Sequence, residues 1–324
     1  MKRLLFAILL FAPASFAQVV HPTAAGVVVA REGSIELDGR WRTDGVDHPQ
    51  AIASNGTHVA VLDPLANTLV LADLATGRST RHATDETPTH AAFVGEDLYV
   101  LARDARSLRR LGGPAIALAP DPAFLRVVER KLYVYSRSGG GLEEIDGDRV
   151  TRRLEVAPFA SDFEVSGTTG YLVYPRDARI RTIDLAAMKQ EGELAVGAVP
   201  VDLAFAGGGS AITARILAVA DPSAKRVWLA EAEHSMGKAI ARGFLRGLLG
   251  LGLFGSRGSE FPTGVDRVEI AGDHRVAYDS SSRTLYRFDR RKSSLLATDI
   301  APGAFAVAED GIVWWSQGGL QRLP

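Results

Sequence analysis

The sequence predicts an all-β protein, a closed ring of repeated antiparallel sheets. Three observations carry this. A proline-led unit recurs, with an apolar stretch near an Asp or Ser and then a second apolar stretch that often ends in Asp. Its clearest copy runs from Pro49 through Val61-Leu62-Asp63 to Leu69–Gly77, and fainter copies begin near Pro88, Pro122, Pro158, Pro200, Pro262 and Pro302. Spacing between starts runs from 34 residues (Pro88 to Pro122) to 42 (Pro158 to Pro200), the length of a four-stranded blade, except for 62 between Pro200 and Pro262. The apolar stretches are short and rich in β-branched and aromatic residues, bounded by turn residues such as Asn55-Gly56, Thr76-Gly77 and Gly147-Asp148. Together these predict a seven-bladed β-propeller with one helical insertion.

The first seventeen residues read as a signal peptide. Lys2 and Arg3 precede an apolar core, Leu4 to Phe11, and Ser15 and Ala17 are the small residues before a cleavage point ahead of Gln18. The apolar run is too short for a stable membrane span. Export to the periplasm or the extracellular space is therefore expected, and the chain contains no cysteine for a lipid anchor, a disulfide framework or a thiolate metal site. With 46% hydrophobic and 23% charged residues, the remaining chain, 18–324, is too apolar to be disordered and shows no composition break. It is read as one domain. A net charge of −1 and the lack of a basic stripe exclude nucleic acid as the expected partner.

Along the units, Leu98-Tyr99-Val100-Leu101, Leu132-Tyr133-Val134-Tyr135, Tyr171-Leu172-Val173-Tyr174 and Ile312-Val313-Trp314-Trp315 suit central strands buried on both faces. Later strands alternate, as in Ile180-Arg181-Thr182-Ile183-Asp184, which suits one wet face. The last unit is too short for four strands, so Arg40-Trp41-Arg42-Thr43 is expected to complete it and close the ring. Gly26–Val29 and Ile35–Leu37 are two further strand candidates, and they make eight blades the alternative. Gly207-Gly208-Gly209-Ser210 lacks the Gly-Lys-Ser/Thr of a phosphate loop and is read as a hairpin turn.

The segment Val70–Arg78, with its strand, Asp, and Thr-Gly turn, resembles the YVTN-type β-propeller repeat. The likeness extends over about 46–324, closely only in the first unit. It implies the propeller fold, and a superfamily holding surface-layer and extracytoplasmic binding proteins as well as lactonase-like enzymes.

The long fifth unit carries an insertion at about 231–260. Ile240, Phe244, Leu248 and Leu251 fall on one helical face beside Lys238, Arg242 and Arg246. Its many glycines would require packing to hold a helix. Three readings stand: a helix folded across its own propeller, a contact with a partner protein or, peripherally, a membrane surface through 234–255, and a disordered segment.

Aligning unit starts puts Ala51, His90, Phe124, Asp162, Asp202, Asp266 and Ala304 at one position, the opening of the innermost strand beside the channel. His90, Asp162, Asp202 and Asp266 are thus the candidate ligand-binding residues. Their oxygens suit a hard cation such as Ca²⁺, and a His with carboxylates also suits a transition metal or acid–base work. The plainer reading is a wet channel mouth with aspartates bonding local amides. No Gly-x-Ser-x-Gly elbow or His-Glu-x-x-His helix occurs. The expected function is an exported binding or scaffolding module of the cell envelope, its partner an envelope protein or a small ligand. The alternative is a lactonase-like hydrolase using the channel-mouth carboxylates, with or without Ca²⁺.

Overall fold

Second strands that are apolar at every position need cover on both faces, and a ring of sheets supplies it. The computed structural model describes residues 18–44, 46–206, 215–232, 258–289, 292–308, 310–316 and 319–324. Among these, the strands form eight antiparallel sheets in sequence order, the larger of the two blade counts. Blade 1 comprises Gln18–Thr23, Gly26–Arg31, Ser34–Leu37 and Trp41–Asp44, and blade 2 comprises Ala51–Ser54, His58–Asp63, Thr68–Asp73 and Ser79–Ala83. Blades 3 to 7 begin with the strands Pro88–Val94, Pro122–Val128, Asp162–Ser166, Asp202–Ala206 and Arg267–Ala271. Blade 8 has Phe305–Ala308, Gly311–Ser316 and Gly319–Leu323. Each first strand touches the first strand of the next blade, and that of blade 8 touches that of blade 1. The first strands therefore surround a central channel, and the protein is a β-propeller.

The core lies between blades. Val28, Ile35 and Leu37 of blade 1 pack on Val59, Val61 and Val70 of blade 2. Tyr133, Tyr135 and Leu142 of blade 4 pack on Phe163, Leu172 and Ile183 of blade 5. The second strand of blade 2 is buried from Val59 to Asp63, whereas the outer strand of blade 4, Arg149–Glu155, alternates between exposed and half-buried positions. The two periodicities in the sequence thus map onto inner and outer strands. Deleting one buried Leu in such a layer, Leu62 for example, costs about 2–5 kcal/mol.

Ring closure differs from the sequence expectation. Trp41–Asp44 pairs with Ser34–Leu37 as the outer strand of blade 1, and the last sheet has three strands among the described residues. The physical reason is local. Gly26 and Gly33, both at positive φ, turn the chain into tight hairpins, so the N-terminal stretch builds a whole blade of its own. The seam is closed by side chains instead. Val20, Val27 and Val29 pack on Ala306 and Val313, and Arg31 lies 4.9 Å above the Trp315 ring. The Val20 N–H donates to the Gly303 carbonyl at 2.9 Å, and Arg322 pairs with Asp38.

The turn that carries the repeat resemblance is built as its residues require. The Asp73 carboxylate accepts from the N–H groups of Ala75 (3.0 Å) and Thr76 (2.7 Å) and from the Thr76 hydroxyl. Gly77 sits at φ +71°, and the Trp41 ring lies where a Cβ would project. The Trp41 indole N–H also donates to the Leu74 carbonyl, tying blade 1 to blade 2.

The expected insertion falls between two strands of blade 6. Ala232 ends the third strand of blade 6 and Gly258 begins its fourth. The intervening residues, with Ile240, Phe244, Leu248 and Leu251, lie outside the described residues, as do 1–17 and 207–214. No helix among the described residues is long and apolar enough to cross a membrane.

Candidate functional site

First strands run side by side around the channel, and every second side chain on them reaches toward the next blade. Their charged residues gather at one place. A cavity of about 390 Å³ is lined by Arg126 of blade 4, Asp162 and Glu164 of blade 5, Asp202 of blade 6, and Arg267 and Glu269 of blade 7. Leu203, Ala204, Phe205, Val268, Ile270 and Val307 complete the wall. Six ionisable groups from four adjacent blades thus face one space.

Several of them tie one blade to the next. The Asp162 carboxylate accepts from the Phe163 N–H (2.7 Å) and from the Leu203 N–H of the next blade (3.1 Å). Asp202 repeats the step one blade on, accepting from the Val268 N–H at 2.7 Å. Arg126 donates to Glu164 at 2.6 Å and stands 3.8 Å from Asp162. Arg267 pairs with Glu269, and its guanidinium lies 4.8 Å above the Phe305 ring of blade 8.

Burial pushes the Asp162 carboxyl up to about 6, helped by the charge of Glu164 and opposed by Arg126 and the two amides. Asp202 is raised well above the usual carboxylate range, by burial first and then by Asp162. Burial works against the Arg126 charge, yet Glu164, Asp162 and Asp202 hold its guanidinium firmly protonated. The cavity is therefore a place where two neighbouring aspartates resist ionising together.

Of the four candidates read from the sequence, the structure brings together Asp162 and Asp202. His90 occupies the equivalent position in blade 3, but its ring makes an edge contact with Phe124, 6.3 Å between centroids, and it does not line the cavity. Burial, then the charges of Arg126 and Arg137, lower it to about 4, so it is neutral at physiological pH. Asp266 is off by one position. Arg267, not Asp266, stands across from Tyr278 as Asp162 stands across from Val173 and Asp202 from Ala220. The Asp266 carboxylate instead accepts from the Ser280 N–H at 3.1 Å and from its hydroxyl, stapling a turn of its own blade. A one-residue slip puts a side chain on the other face of a strand.

The sequence reading passed over Arg126, Glu164, Arg267 and Glu269. A signal existed for two of them: Arg126 and Glu164 each lie two residues beyond the channel position, on the same face of their strand, whereas Glu269 stands two beyond Arg267, a position only the strand pairing reveals. A Ca²⁺ or transition-metal site does not fit these residues. Among the described residues, no three of His, Asp or Glu are grouped so as to hold a metal ion. Both oxygens of Asp162 and one of Asp202 accept backbone N–H groups, and Glu164 and Glu269 pair with arginines, so fewer oxygens stay free than the about six to eight a hard cation takes.

A second set of aspartates holds the blades together. Asp63, Asp221 and Asp279 end the second strands of blades 2, 6 and 7 and are buried. Asp221 accepts from the Ala198 N–H (2.7 Å), the Ala224 N–H (3.0 Å) and the Ser223 hydroxyl (2.8 Å). Burial opposes the Asp279 charge, but the Ser281 and Ser282 hydroxyls hold it down to about 2. These groups are structural.

No protein-family model and no curated protein matches the sequence. Solved structures do. The chain is similar to BamB from Moraxella catarrhalis (TM-score 0.63, 11% identity, covering 94% of this chain and 98% of that one). It is similar to a chain of hydrazine synthase from Kuenenia stuttgartiensis (TM-score 0.60, 13% identity, 87% and 95%). It is also similar to the β-propeller domain of Cps50 (Swd1) from Myceliophthora thermophila (TM-score 0.58, 12% identity, 81% and 93%). At these identities the likeness is one of fold, and it places the chain among β-propeller proteins.

Proposed function

We propose that the protein is an exported β-propeller of the YVTN-repeat type that works by binding, in the periplasm or outside the cell. It would present its charged channel cavity to a ligand and its loop faces to an envelope protein. The observation that carries this reading is the cavity itself. It is concave and charged, and it is set on inner strands that are tied blade to blade. Rigid strands hold a binding constellation better than loops do. Export is supported by Lys2-Arg3, the Leu4–Phe11 core and the small residues before Gln18. The strand–Asp–Thr-Gly turn of Val70–Arg78 supports the repeat type.

The test is in-cell crosslinking of the tagged full chain, followed by fractionation and mass spectrometry. The reading expects a mature protein beginning at Gln18 in the exported fraction, with a reproducible envelope protein crosslinked to it. Retention in the cytoplasm with Met1 intact would overturn export. An unchanged partner list after both Glu164→Lys and deletion of 233–257 would overturn the proposed contacts.

One observation favours a second reading, a lactonase-like hydrolase. Asp162 and Asp202 share a cavity and are both raised, as a proton donor and acceptor pair would be. Hydrolysis of lactones that is lost in Asp162→Asn and in Asp202→Asn would favour it over binding alone.

A further inference from the structure

The cavity walls carry two arginines against four carboxylates, an excess of two formal negative charges. Both arginines are spoken for, Arg126 by Glu164 and Arg267 by Glu269. Asp162 has a guanidinium only at 3.8 Å. Asp202 has no ion pair among the described residues, and one of its oxygens accepts the Val268 N–H. We propose that this cavity takes a small organic cation with two primary ammonium groups joined by a short methylene chain. One ammonium would sit between Asp162 and Asp202, the other toward Glu164 and Glu269. This deepens the binding reading above and rests on it.

Three features set the ligand class. The charge excess excludes an anion as the preferred occupant and makes a neutral polyol a poor exchange for water. The two acidic layers lie two residues apart along the inner strands, about 6.6 Å, a span that an extended four-carbon chain bridges. The methylenes would then run beside Ala204, Phe205 and Ile270, which also line the space. The groups facing Asp202 are Asp162 and Glu164 from blade 5, Arg126 from blade 4, and Arg267 and Glu269 from blade 7. An ammonium bound there replaces the proton that the aspartate pair otherwise keeps. Binding therefore releases protons, and affinity rises with pH until both carboxyls are ionised.

The experiment is calorimetric titration of the purified full-length protein with 1,4-diaminobutane, with 1,4-butanediol and succinate as neutral and anionic counterparts. Titrations at about pH 8 and about pH 5.5 bracket the Asp162 transition. The diamine is expected to bind alone of the three, more weakly at the lower pH, and at least about tenfold more weakly to Asp202→Asn. Asparagine keeps a carbonyl for the Val268 N–H, so this variant is expected to fold. Ala204→Leu, which fills the space without removing charge, is expected to abolish binding as a second check. No diamine binding at millimolar concentration, equal binding by Asp202→Asn and wild type, or preference for succinate would each overturn the inference. Failure to bind the diamine with envelope crosslinks retained overturns this inference alone; loss of both overturns the binding reading.

Discussion

Replacing Asp63 by Ala tests whether buried aspartates at strand ends, rather than the apolar layers alone, lock each blade to the loop that enters it. The side chain is 2% exposed. Its carboxylate accepts three backbone N–H groups, from Asp47 (3.1 Å) and His48 (3.0 Å) in the entering loop and from Ala66 (3.1 Å) in the next turn. A hydrogen bond to a charged group contributes about 1.5–3 kcal/mol. Here the donors lie in exposed residues, so water recovers part of each bond when the carboxylate is gone. A net loss of about 2–4 kcal/mol is expected, or a fall in Tm of about 3–6 °C for a protein of this size. Calorimetry across pH gives a further check. Burial opposes the charge, but the N–H groups of His48, Ala66 and Asp47 outweigh it and hold the carboxyl below its ordinary value. A depressed carboxyl contributes stability that is present above its unfolded pKa and lost as pH falls through the folded one. The gap between wild type and Asp63→Ala is therefore expected to be full at neutral pH and to close in acid. A loss under about 1 kcal/mol, or a gap independent of pH, would refute the reasoning.

Asp202→Asn is expected to have the opposite sign. A raised carboxyl stabilises below its unfolded value and loses that contribution as pH rises through its folded one, so the variant should melt above wild type at alkaline pH and level with it in acid. Melting curves that run parallel across pH would show that Asp202 is not strained by burial. Arg126→Ala leaves Glu164 and Asp162 without their guanidinium and, the pair being only partly buried, is expected to cost about 1–3 kcal/mol at alkaline pH, less in acid, by urea unfolding. An unchanged urea midpoint would mean that solvent already screens those carboxylates. Gly77→Ala forces a Cβ into the Trp41 ring at a φ of +71° and is expected to cost about 2–4 kcal/mol by the same assay. A change within error there would mean that Trp41 moves aside freely.

Local chemistry determined a good deal of this protein before any coordinates. Val59–Leu62 and Leu132–Tyr135 had to be covered on both faces, and Arg149–Glu155 had to leave one face wet, because side chains alternate along a strand. Asp73, Thr76 and Gly77 close a turn through bonds spanning four residues, which a reader of the sequence can anticipate. Asp162 and Asp202 each open a first strand, and both line the cavity. The tertiary structure decided the rest, wherever partners lie far apart in the chain. Whether Trp41 joins blade 1 or blade 8 depends on hairpins at Gly26 and Gly33 winning over contact with a strand more than 250 residues away. The slip from Asp266 to Arg267 turned one expected carboxylate of the channel into a guanidinium, because pairing with Tyr278, not the position of the preceding proline, sets which side chain faces in. Arg126 meets Glu164, and Asp162 meets the Leu203 amide, only once neighbouring blades stand side by side. Short-range periodicity is written in consecutive residues; the charge balance of a channel is a property of the closed ring.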